Sequence, residues 1–429
     1  MKPTAYLNAV ILDGTANMKP TPGNVLVRDG KIEDVGNDKK VGKEYKTIDL
    51  QGAYLLPGLI NMHCHLPGSG KPQKLGGDVG ASIQKALGSP MGRWFLKRMC
   101  GNYAKQELLG GVTTVRTVGG LGTVDTTLRN EINEGKRVGP RILAADTAVS
   151  VPGGHMAGTM AFAATSVQEA VDYVVQIAQT KPDLIKLMIT GGVLDADEAG
   201  TPGVLKMPAD FVKAACDKAH ELGFAVAAHV ESSEGIRVAL ENGVDTIEHG
   251  AVLDDYTLKL FKEHHAKLIC TLSPVVPMTT LDEKTMPDPL YRRNGQLVQD
   301  GIISAAVQAR QNGIPVGLGN DVGCPYVTHY DFWRELLYYQ HYTVTTATDA
   351  LHAATQVNAQ IAGIDAVTGT IEAGKSADFI VCRENPLENL SALRNLEYVV
   401  MRGKAIKDPA PKRMRDIDAL LDGCISDWS

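Results

Sequence analysis

The sequence has no excess of basic residues and no long apolar run. Its 43 Lys and Arg residues stand against 49 Asp and Glu residues, for a net charge of −6, and no dense basic run occurs. This balance argues against a nucleic-acid or anionic-membrane surface. No stretch approaches the roughly 18 apolar residues of a membrane-spanning helix. The first apolar stretch, residues 5–12, is too short for a signal core and reads as a first β-strand. We therefore expect neither a nucleic acid nor a membrane as partner, but a small molecule.

Cysteine is also sparse. The seven cysteines are scattered along the chain, with neither CxxC spacing nor the density of a disulfide scaffold. We expect reduced thiols and a cytoplasmic location. With 44% hydrophobic and 21% charged residues the composition is that of an ordinary globular protein, which excludes collagen-like, coiled-coil and disordered classes.

The two ends of the chain share a β-rich pattern. Residues 24–35 consist of short β-rich runs around an Asp-Gly turn, and residues 397–406 repeat the arrangement around an Arg-Gly turn. Such patterns are typical of antiparallel hairpins. We predict that residues 1–56 and residues 363–429, which include a C-terminal tail, pair into one small β-sandwich.

Between these ends, residues 57–362 alternate short apolar strands with amphipathic helices. The clearest helices are predicted at 166–180, from residue 208 onward and at 232–242. The eight predicted strands are 59–65, 113–118, 141–145, 184–189, 225–229, 246–249, 268–272 and 315–320. Alternation of this kind predicts an α/β protein with a parallel (β/α)8 TIM barrel.

Residues of the types that bind metal ions lie at the predicted carboxyl ends of five strands, which is where the reactive groups of such barrels are located. His63 and His65 are one strand repeat apart, so both imidazoles point the same way and can chelate a divalent cation such as zinc. The remaining members, from strands 4, 5, 6 and 8, are Lys186, His229, His249 and Asp321.

Each of these residues has an ordinary structural explanation when taken alone. A His-x-His pair can be structural, an aspartate can cap a helix, and Lys186 can extend its ammonium to solvent. If Lys186 is instead buried in its apolar run, its pKa falls and the neutral amine can react with CO2. Because six such residues are predicted at one edge of one barrel, we interpret them as a metal site.

The chain resembles the amidohydrolase superfamily of metal-dependent hydrolases over nearly its whole length, including the split β-sandwich. The resemblance lies in residues 57–65 (PGLINMHCH), 111–116 (GVTTVR) and 246–250 (TIEHG). Within the superfamily it is similar to the group of Xaa-Pro dipeptidases, Xaa-Arg dipeptidases and imidazolonepropionase-like proteins. This resemblance implies an enzyme, and the relatives also imply a homo-oligomer.

The resemblance implies a binuclear site for two divalent metal ions, with zinc favoured. The implied ligands are His63, His65 and Asp321 for one ion, His229 and His249 for the other, and a CO2-derived carbamate on Lys186 that bridges both. Imidazolonepropionase resembles a one-metal version of this site. The presence of Lys186 therefore counts against that activity.

The implied reaction is hydrolysis of a C–N bond in a dipeptide, an N-acyl amino acid or a similar small amide by a metal-bridging hydroxide. Asp321 would accept the proton of the hydroxide and deliver it to the leaving amine. His155 matches a glycine-histidine loop of the relatives and would donate a hydrogen bond to the substrate carbonyl. The alternative for His155 is a loop histidine that faces water.

Three further residues are candidates for substrate binding besides His155. Glu231 occupies the position of a tyrosine that holds the substrate carboxylate in Xaa-Pro-cleaving relatives. An anion there would repel a carboxylate and suit a cationic or hydrogen-bond-donating group. Tyr326 and His329 follow strand 8 in a loop that could line the pocket.

Two other functions are compatible with the same residues. A cyclic amidase or a deaminase would keep the metal ligands and change only the pocket. From a different class, a catalytically retired barrel could serve as a scaffold or binding protein, but that reading predicts lost ligands, and here every ligand position is filled.

Overall fold

The computed structural model describes residues 2–37, 40–72, 79–426 and 428. Its strands, in chain order, are β1 Thr4–Ile11, β2 Thr21–Arg28, β3 Lys31–Gly36, β4 Lys46–Asp49, β5 Tyr54–Pro57, β6 Leu59–Cys64, β7 Val112–Thr117, β8 Arg141–Leu143, β9 Ala148–Ser150, β10 Ala161–Ala163, β11 Leu184–Met188, β12 Ala225–Val230, β13 Thr246–His249, β14 Lys267–Cys270, β15 Val316–Leu318, β16 Phe379–Cys382, β17 Leu396–Met401 and β18 Lys404–Lys407.

The α-helices, in chain order, are α1 Val79–Leu87, α2 Pro90–Leu109, α3 Val124–Asn133, α4 Val167–Ala178, α5 Ala209–Glu221, α6 Ser233–Glu241, α7 Asp255–Glu263, α8 Val275–Thr280, α9 Pro289–Gln311, α10 Phe332–Tyr342, α11 Ala347–His352, α12 Asn358–Ile361 and α13 Arg415–Gly423. Within the described ranges, none of these helices is long and apolar enough to cross a membrane.

Both ends of the chain contribute to one mixed sheet. Its strand order is β18-β17-β16-β5-β1-β2-β3, with β4 paired to β1. The two ends meet where β16 runs antiparallel to β5, with Phe379 opposite Pro57. The ring of Phe379 also packs edge-on against Tyr6, with the ring centroids 4.9 Å apart, in a core that both ends share. The arrangement of this sheet as a sandwich, and the division of the chain at residues 56 and 362, stay predictions.

The central part of the chain consists of parallel strands and the helices that connect them. Strands β6, β7 and β8 form one parallel sheet, and the other has the order β10-β9-β11-β12-β13-β14-β15. Backbone hydrogen bonds join the two sheets, from Asp321 N to the His63 carbonyl at 3.0 Å and from Asp183 N to the Ala144 carbonyl at 2.7 Å. This α/β arrangement is consistent with the predicted (β/α)8 barrel.

The elements lie where the periodicity predicts, but most are shorter. The helix expected at 166–180 begins at Val167, because the Ser166 side chain accepts a hydrogen bond from Glu169 N at 3.2 Å and caps it. The eighth parallel strand is only Val316–Leu318. Strands β9 and β10 are additions that the sequence pattern did not indicate, and the loop between them carries His155.

Candidate metal centre and active site

Four histidine rings form a continuous row at the carboxyl ends of the parallel strands. Their centroids are 5.2 Å apart for His65 and His63, 4.7 Å for His63 and His249, and 4.6 Å for His249 and His229. All four residues are at most 3% exposed. Asp321 Oδ1 lies 3.4 Å from His63 Nε2 and 3.3 Å from His65 Nε2. The structure therefore brings five of the six predicted ligands together.

The sixth predicted ligand, Lys186, lies inside the same group. It is 1% exposed, and its Nζ has no hydrogen-bond partner among the described residues. Burial lowers the pKa of Lys186 to about 8; the Glu248 and Asp321 charges oppose this shift, and the Arg116 charge adds to it. Because an isolated ammonium is costly to bury, the position suits an amine that is neutral or chemically modified.

Backbone carbonyl groups fix the orientation of two of the rings. His65 Nδ1 lies 2.9 Å from the Gly119 carbonyl oxygen, and His229 Nε2 lies 3.2 Å from that of Gly191. Because a carbonyl oxygen only accepts, these two ring nitrogens carry the proton. The other nitrogen of each neutral ring, Nε2 in His65 and Nδ1 in His229, is then free to bind a metal ion.

A buried ionic network behind His63 was missed by sequence reasoning. Glu248 Oε2 accepts a hydrogen bond from His63 Nδ1 at 2.8 Å, and Glu248 Oε1 accepts from Arg116 Nη2 at 2.6 Å and Thr246 Oγ1 at 2.8 Å. Arg116 Nε donates to the Met62 carbonyl at 2.8 Å. Although burial raises the pKa of Glu248, the Arg116 charge and the bond from His63 bring it below its ordinary value. The available signal was a charged residue on each of two otherwise uncharged strands.

Two of the predicted metal ligands have a left-handed backbone conformation. The φ angles are +69° at His249 and +51° at Asp321, in a region that residues other than glycine seldom occupy. Hydrogen bonds on either side hold this conformation: Asp321 N donates to the His63 carbonyl, and Gly250 N donates to that of Val230. Backbone of this kind persists where the surrounding structure over-determines it, which is common at functional sites.

His155 lies over His229. The two rings are stacked, with centroids 4.1 Å apart and planes within 9°. His155 Nδ1 is hydrogen-bonded to Asp195 Oδ2, which also accepts from Gly192 N at 3.3 Å. This leaves His155 Nε2 for another partner. Asp195 was not singled out from the sequence, and an acidic residue soon after a Gly-Gly pair would have been a weak signal.

A cavity beside the histidine row contains Glu231. Its other polar lining includes His155, His229, His249 and Asp321, and most of the remainder is apolar. Glu231 Oε2 is buried and has no hydrogen-bond partner in the described part of the chain. Burial, with the Asp321 and Asp195 charges, raises the pKa of Glu231 well above its ordinary value. The structure thus places Glu231 in the cavity, whose described lining includes no lysine or arginine.

The structure does not bring Tyr326 and His329 to this cavity. The Tyr326 hydroxyl donates to the Thr285 carbonyl at 3.3 Å. His329 is bonded through Nε2 to the Gly68 carbonyl at 2.7 Å and through Nδ1 to Glu107 at 3.1 Å. Neither side chain is among the described residues that line the cavity. The prediction that they bind substrate has no support in this geometry, because their polar atoms hold the surrounding loops together.

The family model named Amidohydrolase family matches residues 54–406 of the chain. The chain belongs to this family. The fold is similar to that of a candidate prolidase from Bifidobacterium longum, with a TM-score of 0.86, 36% identity and 99% of both chains covered. It is also similar to a Xaa-Pro dipeptidase with methionine bound in its active site, with a TM-score of 0.81, 26% identity and coverage of 94% of this chain and 100% of the other.

Among curated proteins, an ochratoxinase from Aspergillus niger is 24% identical over 420 residues, which cover 90% of this chain and 83% of that protein. Together with the family match, this confirms the assignment to the amidohydrolases that the sequence motifs predicted. This amidohydrolase is therefore a hydrolytic enzyme that acts on C–N bonds, and its buried histidines and aspartate form a candidate metal centre.

Proposed function

We propose that this amidohydrolase binds two divalent metal ions and hydrolyses the amide bond of a dipeptide, an N-acyl amino acid or a similar small amide. The observation that supports the proposal is the meeting of six ligand-type side chains from the ends of five strands, three of which, His229, His249 and Asp321, line one cavity. The similarity to a Xaa-Pro dipeptidase supports a peptide-like substrate. The proposal includes a closed (β/α)8 barrel at residues 57–362, a β-sandwich built from residues 1–56 and 363–429, and assembly into a homo-oligomer.

The arrangement of these side chains, all among the described residues, fits a metal site. Asp321 Oδ1 is buried without a hydrogen-bond donor, although two histidine Nε2 atoms lie within 3.4 Å of it. Buried acceptors without donors are rare in folded proteins, and a cation would complete this group. The proposed ligands are His63, His65 and Asp321 for one ion, and His229 and His249 for the other.

We further propose that Lys186 carries a carbamate that bridges the two ions. The neutral Nζ amine adds to CO2, a C–N bond forms and one proton is released. The product has one negative charge shared by two oxygens, which would suit hard or borderline cations better than a free amine does. The buried Nζ without a partner supports this step. Zinc is the metal that the histidine-rich ligand set favours.

The bound metal ions would supply Lewis acidity that activates water and polarises the amide carbonyl. Asp321 would accept a proton from the attacking water and pass it to the nitrogen of the leaving amine, which is otherwise a poor leaving group. His155 would face the carbonyl oxygen through Nε2, because Asp195 holds its Nδ1. A hydrogen bond from this ring would stabilise the negative charge that develops on the carbonyl oxygen.

The proposal is tested on protein reconstituted with zinc in bicarbonate buffer. Metal content is measured by mass spectrometry, and product release is measured by liquid chromatography from pooled L,L and L,D dipeptides, N-acyl amino acids and amino-acid amides. We expect two zinc ions per chain and amino-acid release, with both lost or strongly reduced in Lys186→Ala. Full zinc content and activity in Lys186→Ala would contradict the bridged pair. Ammonia released only from cyclic or aromatic amines would favour a deaminase instead.

A further inference from the structure

Glu231 is the acidic side chain of the cavity that the proposed metal centre does not need. Its backbone is fixed from two sides. Glu231 N donates to Thr190 Oγ1 at 3.0 Å, and its carbonyl lies against Gly203, where an added Cβ atom would come within 2.3 Å of the carbonyl oxygen. The start of the side chain is therefore held at a defined place, and a carboxylate oxygen lies within 4.8 Å of ring nitrogens of His229 and His249.

No lysine or arginine accompanies this carboxylate in the described lining of the cavity, whereas Glu231 and Asp321 are both acidic. An adjoining cavity shares Gly192 with the first and is lined by three acidic side chains and one basic one, namely Asp195, Asp197, Glu198 and Lys206. The charged side chains of this adjoining cavity are therefore predominantly acidic. A substrate carboxylate would meet repulsion there, and a substrate cation would not.

The rest of the cavity is apolar. Its lining includes Met156, Val193, Leu194, Val275, Met278 and Ile302. An uncharged hydrocarbon side chain suits this surface, because its burial removes apolar area from water. The group that fits beside Glu231 is thus a compact cation on a ligand that is otherwise apolar.

We propose that Glu231 binds a protonated amine of the substrate, so that the enzyme selects α-aminoacyl amides with an apolar side chain. The amine must lie close to the scissile carbonyl, since Glu231 approaches the ligand nitrogens of His229 and His249. A charge-assisted hydrogen bond from an ammonium to Glu231 Oε2 supplies the missing partner. The inference rests on the proposed amide hydrolysis at the metal centre, and it narrows that function by disfavouring N-acyl amino acids.

The test compares two probes that differ only at the α position. L-Leucine hydroxamate carries an α-ammonium group, and L-2-hydroxy-4-methylpentanoic hydroxamate carries a hydroxyl of similar size. Binding of each to the zinc-loaded enzyme is measured by calorimetry in the wild type and in Glu231→Gln. Asp197→Asn is the matched control, because it removes one negative charge from the adjoining cavity without touching Glu231. Zinc content is measured in every sample.

We expect the wild type and Asp197→Asn to bind the ammonium probe at least tenfold more tightly, and Glu231→Gln to lose this preference. Hydrogen bonds to charged groups are typically worth that factor or more. Equal binding of the two probes by the wild type would overturn the proposal without recourse to any variant. Preference retained in Glu231→Gln would also overturn it, and so would loss of zinc in that variant, since Glu231 would then be a metal ligand.

Hydrolysis of L-leucinamide and of its α-hydroxy counterpart separates this inference from the proposed function. Equal hydrolysis of both amides would support amide hydrolysis but refute recognition of the amine. If the enzyme hydrolyses neither amide but binds the ammonium probe tenfold more tightly than the hydroxyl probe, amide hydrolysis of this substrate class is refuted and recognition of the amine remains supported.

Discussion

Glu248→Gln tests whether the ionic network behind His63 positions a metal ligand. The change keeps the shape of the side chain and removes its charge. In the wild type both carboxylate oxygens accept, Oε1 from Arg116 and Thr246 and Oε2 from His63. An amide has only one oxygen, so its NH2 group must meet a donor on one side.

Either orientation of the new amide is unfavourable. With its NH2 group toward Arg116, the buried guanidinium loses its counter-charge, and breaking a buried pair in this way costs about 3–5 kcal/mol. With its NH2 group toward His63, the imidazole must move its proton from Nδ1 to Nε2. Nε2 is the atom that faces Asp321, so the ring can no longer bind a metal ion there. Loss of such an orienting partner typically lowers metal affinity about 10- to 100-fold.

The assays are urea unfolding of the metal-free protein and zinc competition with a chromophoric chelator. Thr246→Val is the matched control, because it removes one neutral donor from Glu248 and one neutral acceptor from Arg116, at 3.1 Å, and leaves the contacts of Glu248 with Arg116 and His63 in place. We expect a loss of about 1 kcal/mol and unchanged zinc affinity for the control. A Glu248→Gln variant within about 1 kcal/mol of the wild type, with wild-type zinc affinity, would refute the reasoning.

The network also predicts a pH dependence of stability. Because the pKa of Glu248 is lowered in the fold from its ordinary 4.5, the stability that the ionised form contributes is present above that pH. This contribution is lost as the pH falls below 4.5. The difference in unfolding free energy between the wild type and Glu248→Gln should therefore shrink on acidification.

Three further predictions concern separate parts of the molecule. With the pKa of Lys186 at about 8, roughly 10% of the amine is neutral at pH 7, against roughly 0.03% for an ordinary lysine. Zinc uptake at constant dissolved CO2 should therefore rise with pH to a plateau above pH 8. Uptake that does not depend on pH would argue against a carbamate. His155→Ala should lower kcat about 100-fold with unchanged zinc content, measured by steady-state kinetics and mass spectrometry; an unchanged kcat would exclude contact with the reacting carbonyl. Phe379→Ala removes the ring that packs on Tyr6 and should cost about 3–5 kcal/mol in urea unfolding; a loss under about 1 kcal/mol would mean that the two chain ends do not share a core.

The clustering of the candidate ligands could be predicted from the sequence because their positions obey a local rule. Each stands at the end of an apolar strand, and parallel strands bring their carboxyl ends to one side of the fold. His63 and His65 could be assigned to one face from alternation alone. The predicted strands are mostly too long, because the run of apolar residues extends beyond the last hydrogen-bonded strand residue into buried loops. Leu272, two residues after the end of β14, is an example.

The partners of the ligands could not be predicted, because they are distant in the chain. Arg116 and Glu248 are 132 residues apart, and His155 and Asp195 are 40 residues apart. His329 was assigned to the pocket from its position after strand 8, but Glu107, 222 residues earlier, holds it elsewhere. Loop side chains are placed by such tertiary contacts, which no local pattern encodes.

Buried polar atoms without partners distinguish the proposed metal ligands from Glu231, the proposed substrate-binding residue. Lys186 Nζ, Asp321 Oδ1 and Glu231 Oε2 are all buried without hydrogen-bond partners in the described ranges, at about 1–3 kcal/mol each or more for charged groups. Two metal ions and a carbamate would satisfy Lys186 and Asp321, since both lie within the histidine row. Glu231 lines the cavity together with His229 and His249, and the proposed ligand set does not include it. Under the proposal its partner arrives with the substrate, since an amine can donate a hydrogen bond to Glu231 Oε2 and a carboxylate ion cannot.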